Sequence, residues 1–277
     1  MDKILKNLRL SKRVDGDRKV VTVKNCKIGG GFVVIAGPCS IESEDQLCET
    51  ADAVKKSGAD ILRGGVFKPR TSPYDFQGLG LVGLKILKKA AEQTGLPVIT
   101  EVTDPRNVEW ASEYVDILQV GARNMSNFPL LKEMGKTKKP ILIKRGMNST
   151  ISEWLNSAEY VLNEGNPDVI LCERGIRTFE PLTRNTMDLS GIAVAKRLTN
   201  LPVIADPSHA TGIRDLVEIM SLASVAVGAD GLMIEVHRNP EEAKSDKDQT
   251  LTCGQFDTLI KKARTLRKLV EGFYEDL

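Results

Sequence analysis

Eight short apolar runs alternate along this chain with longer, polar, helix-periodic stretches, and each run leads into a charged or metal-binding residue. Phe32–Ala36 leads to Cys39, Ile61–Leu62 to Arg63, Pro97–Thr100 to Glu101, and Ile117–Val120 to Arg123. Ile141–Ile143 leads to Lys144, Val169–Leu171 to Glu173 and Arg174, Pro202–Ala205 to Asp206 and His209, and Gly231–Ile234 to Glu235 and His237. Strand followed by helix, repeated eight times, is the pattern of an α/β chain closed into a (β/α)8 TIM barrel, whose chemistry sits at the carboxyl ends of the strands. A length of 277 residues suits one such domain, because these barrels run to about 250 residues.

Finer punctuation supports the same division. Val20–Val23 is β-prone and Gly29-Gly30-Gly31 is a turn, so residues 1–31 read as an N-terminal β extension with a short strand pair, and 32–277 as the catalytic barrel. Helices are expected over 44–57, 80–94, 104–114, 126–135, 150–164, 190–200, 211–227 and 255–272. Thr150 and Glu153 have the spacing of a capping box, Asp104-Pro105 places proline in a first turn, and Gly58, Gly95 and Gly165 stand where left-handed residues end helices. The long connections, 64–79, 175–189 and 236–254, all follow strands, on the face where barrel loops carry binding groups.

The overall charge excludes some partners. With 39 basic and 37 acidic residues the chain carries only +2, which gives no footing to nucleic acid or to a membrane surface. No run nears the roughly 20 apolar residues of a membrane span, and the N-terminus has no signal-peptide core. Five cysteines, an odd number without disulfide-framework spacing, fit a reducing compartment, so a cytoplasmic enzyme is expected.

Two constellations carry the chemistry. Cys39, His209, Glu235 and either Asp246 or Asp248 form a mixed set of thiolate, imidazole and carboxylates, suited to Mn²⁺, Fe²⁺, Co²⁺ or Zn²⁺, and strands one, seven and eight are neighbours in a closed barrel. His237 would support Glu235 or the ligands around it. Arg63, Lys68, Arg70, Arg123, Lys144 and Arg174 all follow strand ends on the same face, and a lysine closing an apolar strand, such as Lys144, needs an anionic partner there. Guanidinium and ammonium groups in this number exceed what one phosphate needs, which points to two anionic substrates. The alternative is internal pairing with Asp60, Glu101, Glu173 or Asp206.

Read together, Ala36–Ser43, Leu62-Arg-Gly-Gly65, Phe67-Lys-Pro-Arg-Thr-Ser-Pro-Tyr74, Gly121-Ala-Arg-Asn-Met125, Cys172–Glu180, Asp206-Pro-Ser-His209 and Ile234-Glu-Val-His237 resemble the 3-deoxy-D-arabino-heptulosonate 7-phosphate (DAHP) synthases. The resemblance is to their short-chain type I subfamily, related to 3-deoxy-D-manno-octulosonate 8-phosphate synthase. It implies metal-assisted condensation of phosphoenolpyruvate with erythrose 4-phosphate at the entry to the shikimate pathway. It implies Cys39, His209, Glu235 and Asp246 as metal ligands, and Arg63, Arg123, Lys144 and Arg174, with the Gly121–Ala122 backbone, as the phosphoenolpyruvate clamp. Lys68, Arg70 and Thr71 resemble the erythrose 4-phosphate contacts, and Lys68, Glu101 and Lys144 would be the catalytic groups. We expect one divalent metal per subunit, Mn²⁺ ahead of Fe²⁺, Co²⁺ and Zn²⁺, and a homodimer or homotetramer. The chain length leaves no room for an added regulatory domain, so insensitivity to aromatic amino acids is expected, to be checked with each at saturating concentration. The octulosonate enzyme is the same-class alternative; a class II-like aldolase or a phosphosugar-binding sensor are the more distant ones.

Overall fold

The computed structural model describes residues 6, 8–13, 18–68 and 72–273. Two antiparallel strands, β1 (Val21–Val23) and β2 (Cys26–Ile28), precede eight parallel ones: β3 (Val33–Gly37), β4 (Ile61–Arg63), β5 (Val98–Glu101), β6 (Ile117–Val120), β7 (Ile141–Lys144), β8 (Val169–Glu173), β9 (Val203–Ala205) and β10 (Gly231–His237). Each pairs with the next, and β10 pairs with both β9 and β3, which closes the sheet into the expected barrel. A two-residue strand, β11 (Leu251–Thr252), adds to the far end of β10.

Helices fall between the strands: α1 (Glu44–Lys56), α2 (Leu81–Thr94), α3 (Val108–Ser112), α4 (Phe128–Gly135), α5 (Ile151–Asn163), α6 (Leu189–Leu198), α7 (Pro207–Thr211), α8 (Arg214–Ala226) and α9 (Cys253–Val270). The Thr150–Glu153 capping box forms at the start of α5, and Gly58, Gly95 and Gly165 adopt φ of +96°, +72° and +96°. One expectation needs correction. The segment expected as a helix from 211 is broken by Gly212, at φ +70°, into α8 and an earlier single turn, α7, that starts directly at the end of β9. Asp206 caps that turn by accepting from the His209 backbone N–H, so the motif Asp-Pro-Ser-His is a local helix start that presents His209 over the barrel mouth.

Period-two alternation sorts the strand residues into two cores. One set faces the helices; the other, with Ile35, Ile61, Ile99, Ile117, Leu142, Ile170, Ile204 and Met233, fills the barrel. The hairpin β1–β2 adds Val21, Val23 and Ile28 to this interior set. It is fastened to residues just ahead of the strands, with Lys24 paired to Asp116, Lys19 to Asp168, and the Cys26 thiol donating to the Asp60 carbonyl. The hairpin therefore stops the end where the strands begin and leaves the opposite mouth open.

Candidate active site

Two residues beyond each interior residue, alternation brings the next inward position: Gly37, Arg63, Glu101, Gln119, Lys144, Cys172, Asp206 and Glu235. The apolar filling thus gives way in one layer to charge. Above this layer lies a cavity of about 330 Å³, lined by Lys68, Glu101, Ala122, Arg123, Lys144, Arg174, His209 and Asp246 among others. A smaller recess beneath it is bounded by Cys39, Arg63, Glu101 and Lys144.

Cys39, His209, Glu235 and Asp246 meet on one side, with a ligand atom of each within 4.8 Å of the others. Asp248 is exposed, so the structure brings Asp246 and not Asp248 to the group. Asp246 sits in a left-handed turn at φ 52°, which aspartate tolerates. The turn is fastened over Cys39 by the hydrogen bond between the Ser40 and Ser245 hydroxyls at 2.8 Å. The Cys39 thiol donates to Asp246 Oδ2 at 2.9 Å and accepts from Lys68 Nζ at 2.7 Å. Glu235 is fully buried: Arg63 Nη1 donates to its Oε1 at 2.6 Å, and Gln249 Nε2 to its Oε2 at 2.5 Å. His209 Nε2 stands 3.3 Å from Glu235 Oε1.

Electrostatics follow from burial and neighbours. Burial pushes the Cys39 thiol far up, and the Glu235 charge adds to the effect, so at neutral pH this sulfur holds its proton. Burial works against ionisation of Glu235 and Asp246 too, yet His209 with Arg63 and His209 with Lys68 outweigh it and hold both carboxyls below their usual range. Desolvation lowers His209 in spite of the carboxylates around it. A thiol, an imidazole and two carboxylates, converging from four separate segments of the chain, fit a divalent transition metal.

On the other side stand the cations. Arg123 lies on the turn after β6, and Lys144 and Arg174 close β7 and follow β8. Lys144 is the inward residue, whereas Arg145 turns away to Glu173 at 2.9 Å and Asp188 at 2.7 Å. Among the expected clamp residues, Arg63 binds Glu235, Lys144 Nζ donates to Asp206 Oδ2 at 2.5 Å, and Arg123 is engaged as well. Arg174 is different. It is 8% exposed, burial lowers its pKa, and among the described residues no carboxylate lies within ion-pair distance of it. Glu101 lines the same cavity, accepting from Gln119 Nε2 at 3.2 Å. Gly121 leaves it room, since a Cβ there would stand 2.0 Å from Glu101 Oε1. Arg70 and Thr71 lie outside the described residues.

His237 does not join the four donors. Its Nδ1 accepts from the Asn239 N–H and its Nε2 faces Glu42 at 3.9 Å. Conversely, sequence reading passed over Gln119 and Gln249, and treated Asp206 only as a pairing partner. Arg177 and Arg184, in the loop after β8, also line the cavity and were not anticipated. The inward register would have found Gln119 and Asp206, each two residues past an interior isoleucine. Gln249 and Arg184 belong to loops whose path periodicity does not encode.

Fold and site define a class: a (β/α)8-barrel enzyme acting on anionic substrates at the carboxyl ends of its strands. More narrowly, the chain belongs to the DAHP synthetase I family, whose sequence profile matches residues 17–271. A phospho-2-dehydro-3-deoxyheptonate aldolase of Thermotoga maritima is 47% identical over 266 residues, covering 95% of this chain and 79% of that protein. A 2-dehydro-3-deoxyphosphooctonate aldolase of Geobacter sulfurreducens is 32% identical over 271 residues, covering 91% and 98%. The crystal structure of the Thermotoga maritima DAHP synthase matches with a TM-score of 0.91 at 45% identity, covering 97% of this chain and 78% of that one.

Proposed function

We propose that this chain condenses phosphoenolpyruvate with erythrose 4-phosphate, giving DAHP and inorganic phosphate at the entry to the shikimate pathway. The observation that carries the reading is Arg174, a buried guanidinium without a carboxylate partner among the described residues, facing one cavity with Arg123 and Lys144. A guanidinium so placed needs an anionic ligand.

In this reading Arg63, Arg123, Lys144 and Arg174, with the Gly121–Ala122 backbone, grip phosphoenolpyruvate. Lys68, Arg70 and Thr71 hold the sugar phosphate. Cys39, His209, Glu235 and Asp246 hold one divalent cation, Mn²⁺ first, with Fe²⁺, Co²⁺ or Zn²⁺ as alternatives. When bound, that cation supplies Lewis acidity toward an aldehyde oxygen. C3 of phosphoenolpyruvate forms the new bond to the aldehyde carbon, and Lys68 gives a proton or hydrogen bond to the oxygen that becomes the hydroxyl. Charge at C2 is quenched by a water that Glu101 and Lys144 orient. The resulting phosphohemiketal breaks its C2–O bond and releases phosphate. Holding two mutually repelling anions together is the larger part of the task, and such proximity is worth roughly 7–11 kcal/mol.

Phosphate release after metal stripping tests this, with erythrose 4-phosphate or arabinose 5-phosphate, each with and without Mn²⁺. Mn²⁺-dependent release with erythrose 4-phosphate is expected. Preference for arabinose 5-phosphate would assign the octulosonate reaction, and release with neither sugar would end both readings. We further read the working form as a homodimer or homotetramer, supported by Phe179 and Leu182, 99% and 82% exposed in the loop after β8. Light scattering that found a monomer would refute this. Among the described residues no helix is long and apolar enough to cross a membrane, and all five cysteines are unpaired, which supports a reducing, cytoplasmic setting.

A further inference from the structure

Asp206 is not among the four donors and is not one of the cavity-lining cations, yet it touches both groups. It is fully buried at the tip of β9, two residues past the interior Ile204. Its Oδ1 accepts from the His209 backbone N–H at 2.9 Å, which fixes the turn that carries the imidazole. Its Oδ2 accepts from Lys144 Nζ at 2.5 Å and stands 2.7 Å from His209 Nδ1. Its own N–H donates to the Glu173 carbonyl at 2.7 Å, so the residue has little freedom to follow one partner and leave the other.

We propose that Asp206 is a positioning residue that joins the anion clamp to the metal-donor cluster, so that cation binding at one and phosphoenolpyruvate binding at the other are linked through a single carboxylate oxygen. The inference rests on the function proposed above and adds to it a pathway between its two halves. The physical basis is the sharing of one negative charge. An imidazole whose Nε2 engages a cation becomes a stronger donor at Nδ1, which is how carboxylates behind metal-binding histidines act. Oδ2 then satisfies the imidazole more fully and releases part of its hold on Lys144, whose ammonium is freed toward an incoming phosphate or carboxylate. Linkage is reciprocal, so phosphoenolpyruvate must tighten cation binding by the same factor.

The test measures binding, without turnover. Co²⁺ is titrated into the metal-stripped protein, read through the Cys39 thiolate-to-cobalt absorption, and phosphoenolpyruvate affinity is measured calorimetrically with and without Co²⁺. In the wild-type protein Co²⁺ should tighten phosphoenolpyruvate binding, within the roughly 5- to 150-fold range usual for coupled sites. Asp206→Asn keeps the volume and the helix cap but removes the charge. It should weaken Co²⁺ roughly 10- to 100-fold, shift the cobalt bands, tighten phosphoenolpyruvate in the absence of metal because Lys144 is no longer held, and abolish the linkage. Lys144→Met should keep Co²⁺ affinity while losing the linkage, and it carries the test alone should the aspartate variant not fold. Loss of Co²⁺ affinity alone, with linkage intact, would make Asp206 merely a partner of His209 and overturn the proposal, as would unchanged linkage in Lys144→Met. Wild-type protein that bound Co²⁺ but no phosphoenolpyruvate would refute the functional reading itself, and the linkage with it.

Discussion

At the residue scale, Lys68 and Gln249 show two ways of serving one cluster. Lys68 reaches the Cys39 sulfur from the cavity side, and although burial opposes its charge, Cys39, Glu235 and Asp246 raise its pKa. Lys68→Met should therefore abolish most turnover while leaving the thermal midpoint nearly unchanged; near-normal turnover would remove Lys68 from the chemistry. Gln249, fully buried, holds Glu235 Oε2 from behind. Gln249→Leu should lower metal affinity roughly 10-fold or more, measured by competition with a chromophoric chelator. The raised Cys39 thiol adds a pH effect with a fixed sign. Metal binding needs the thiolate, so uptake at neutral pH should release about one proton per metal from Cys39, and affinity should climb with pH. Weakly buffered titration with a pH electrode checks this, and binding without proton release would refute it. Most of these residues were legible as strand-end chemistry. Lys144 was legible as a buried cation needing an anion; its partner Asp206 was only one of several candidates, because pairing across β7 and β9 is a property of closure.

At the element scale, the apolar runs and their caps specified the architecture closely. Each strand begins or ends within a residue or two of its apolar run, because β-prone side chains, short length and turn residues agree. The capping box of α5 is an example that can be measured: Glu153 accepts from the Thr150 backbone N–H while Thr150 Oγ1 accepts from the Glu153 N–H. Thr150→Ala should cost about 1 kcal/mol, seen as a drop of a few degrees in Tm with kcat unchanged, since α5 packs on the barrel's outer side. Where the reading failed, at 207–213, the cause was local. Asp206-Pro207 starts a helical turn and Gly212 ends it within one turn, too short for a period to register. The loops 64–79 and 236–254 were recognised by length, but length does not set their path, as the hydrogen bond between Ser245 and Ser40 does for the last of them.

At the scale of the whole molecule, chemistry and fastening occupy opposite ends of one barrel. The mouth concentrates Asp206, Glu235 and Asp246, all held below their usual carboxyl range, together with a His209 held below the imidazole range. For every one of these groups the unfolded chain binds protons more readily than the folded one. Stability is thus fully present above the unfolded values, about 6.5 for histidine and about 4 for the carboxyls, and is lost as pH falls through the lower folded values. The urea midpoint should decline gently from pH 7 to 5 and steeply below about pH 4; a midpoint flat to pH 3 would refute the assignment.

The hairpin at the barrel's closed end has a consequence for how the chain is assembled in time. Its residues leave the ribosome before any barrel strand, but the surface that Val21, Val23 and Ile28 cover includes Met233 on the last strand of the ring. The first half of the chain supplies only part of that surface, Val33, Ile35, Ile61, Ile99 and Ile117, and the remaining contacts, of large sequence separation, form late because loop closure must come first. A segment made before every barrel strand is therefore among the last to settle. In pulse-labelled hydrogen exchange, the amides of the ladder from Val21 to Ile28 should gain protection only when those of β10 do.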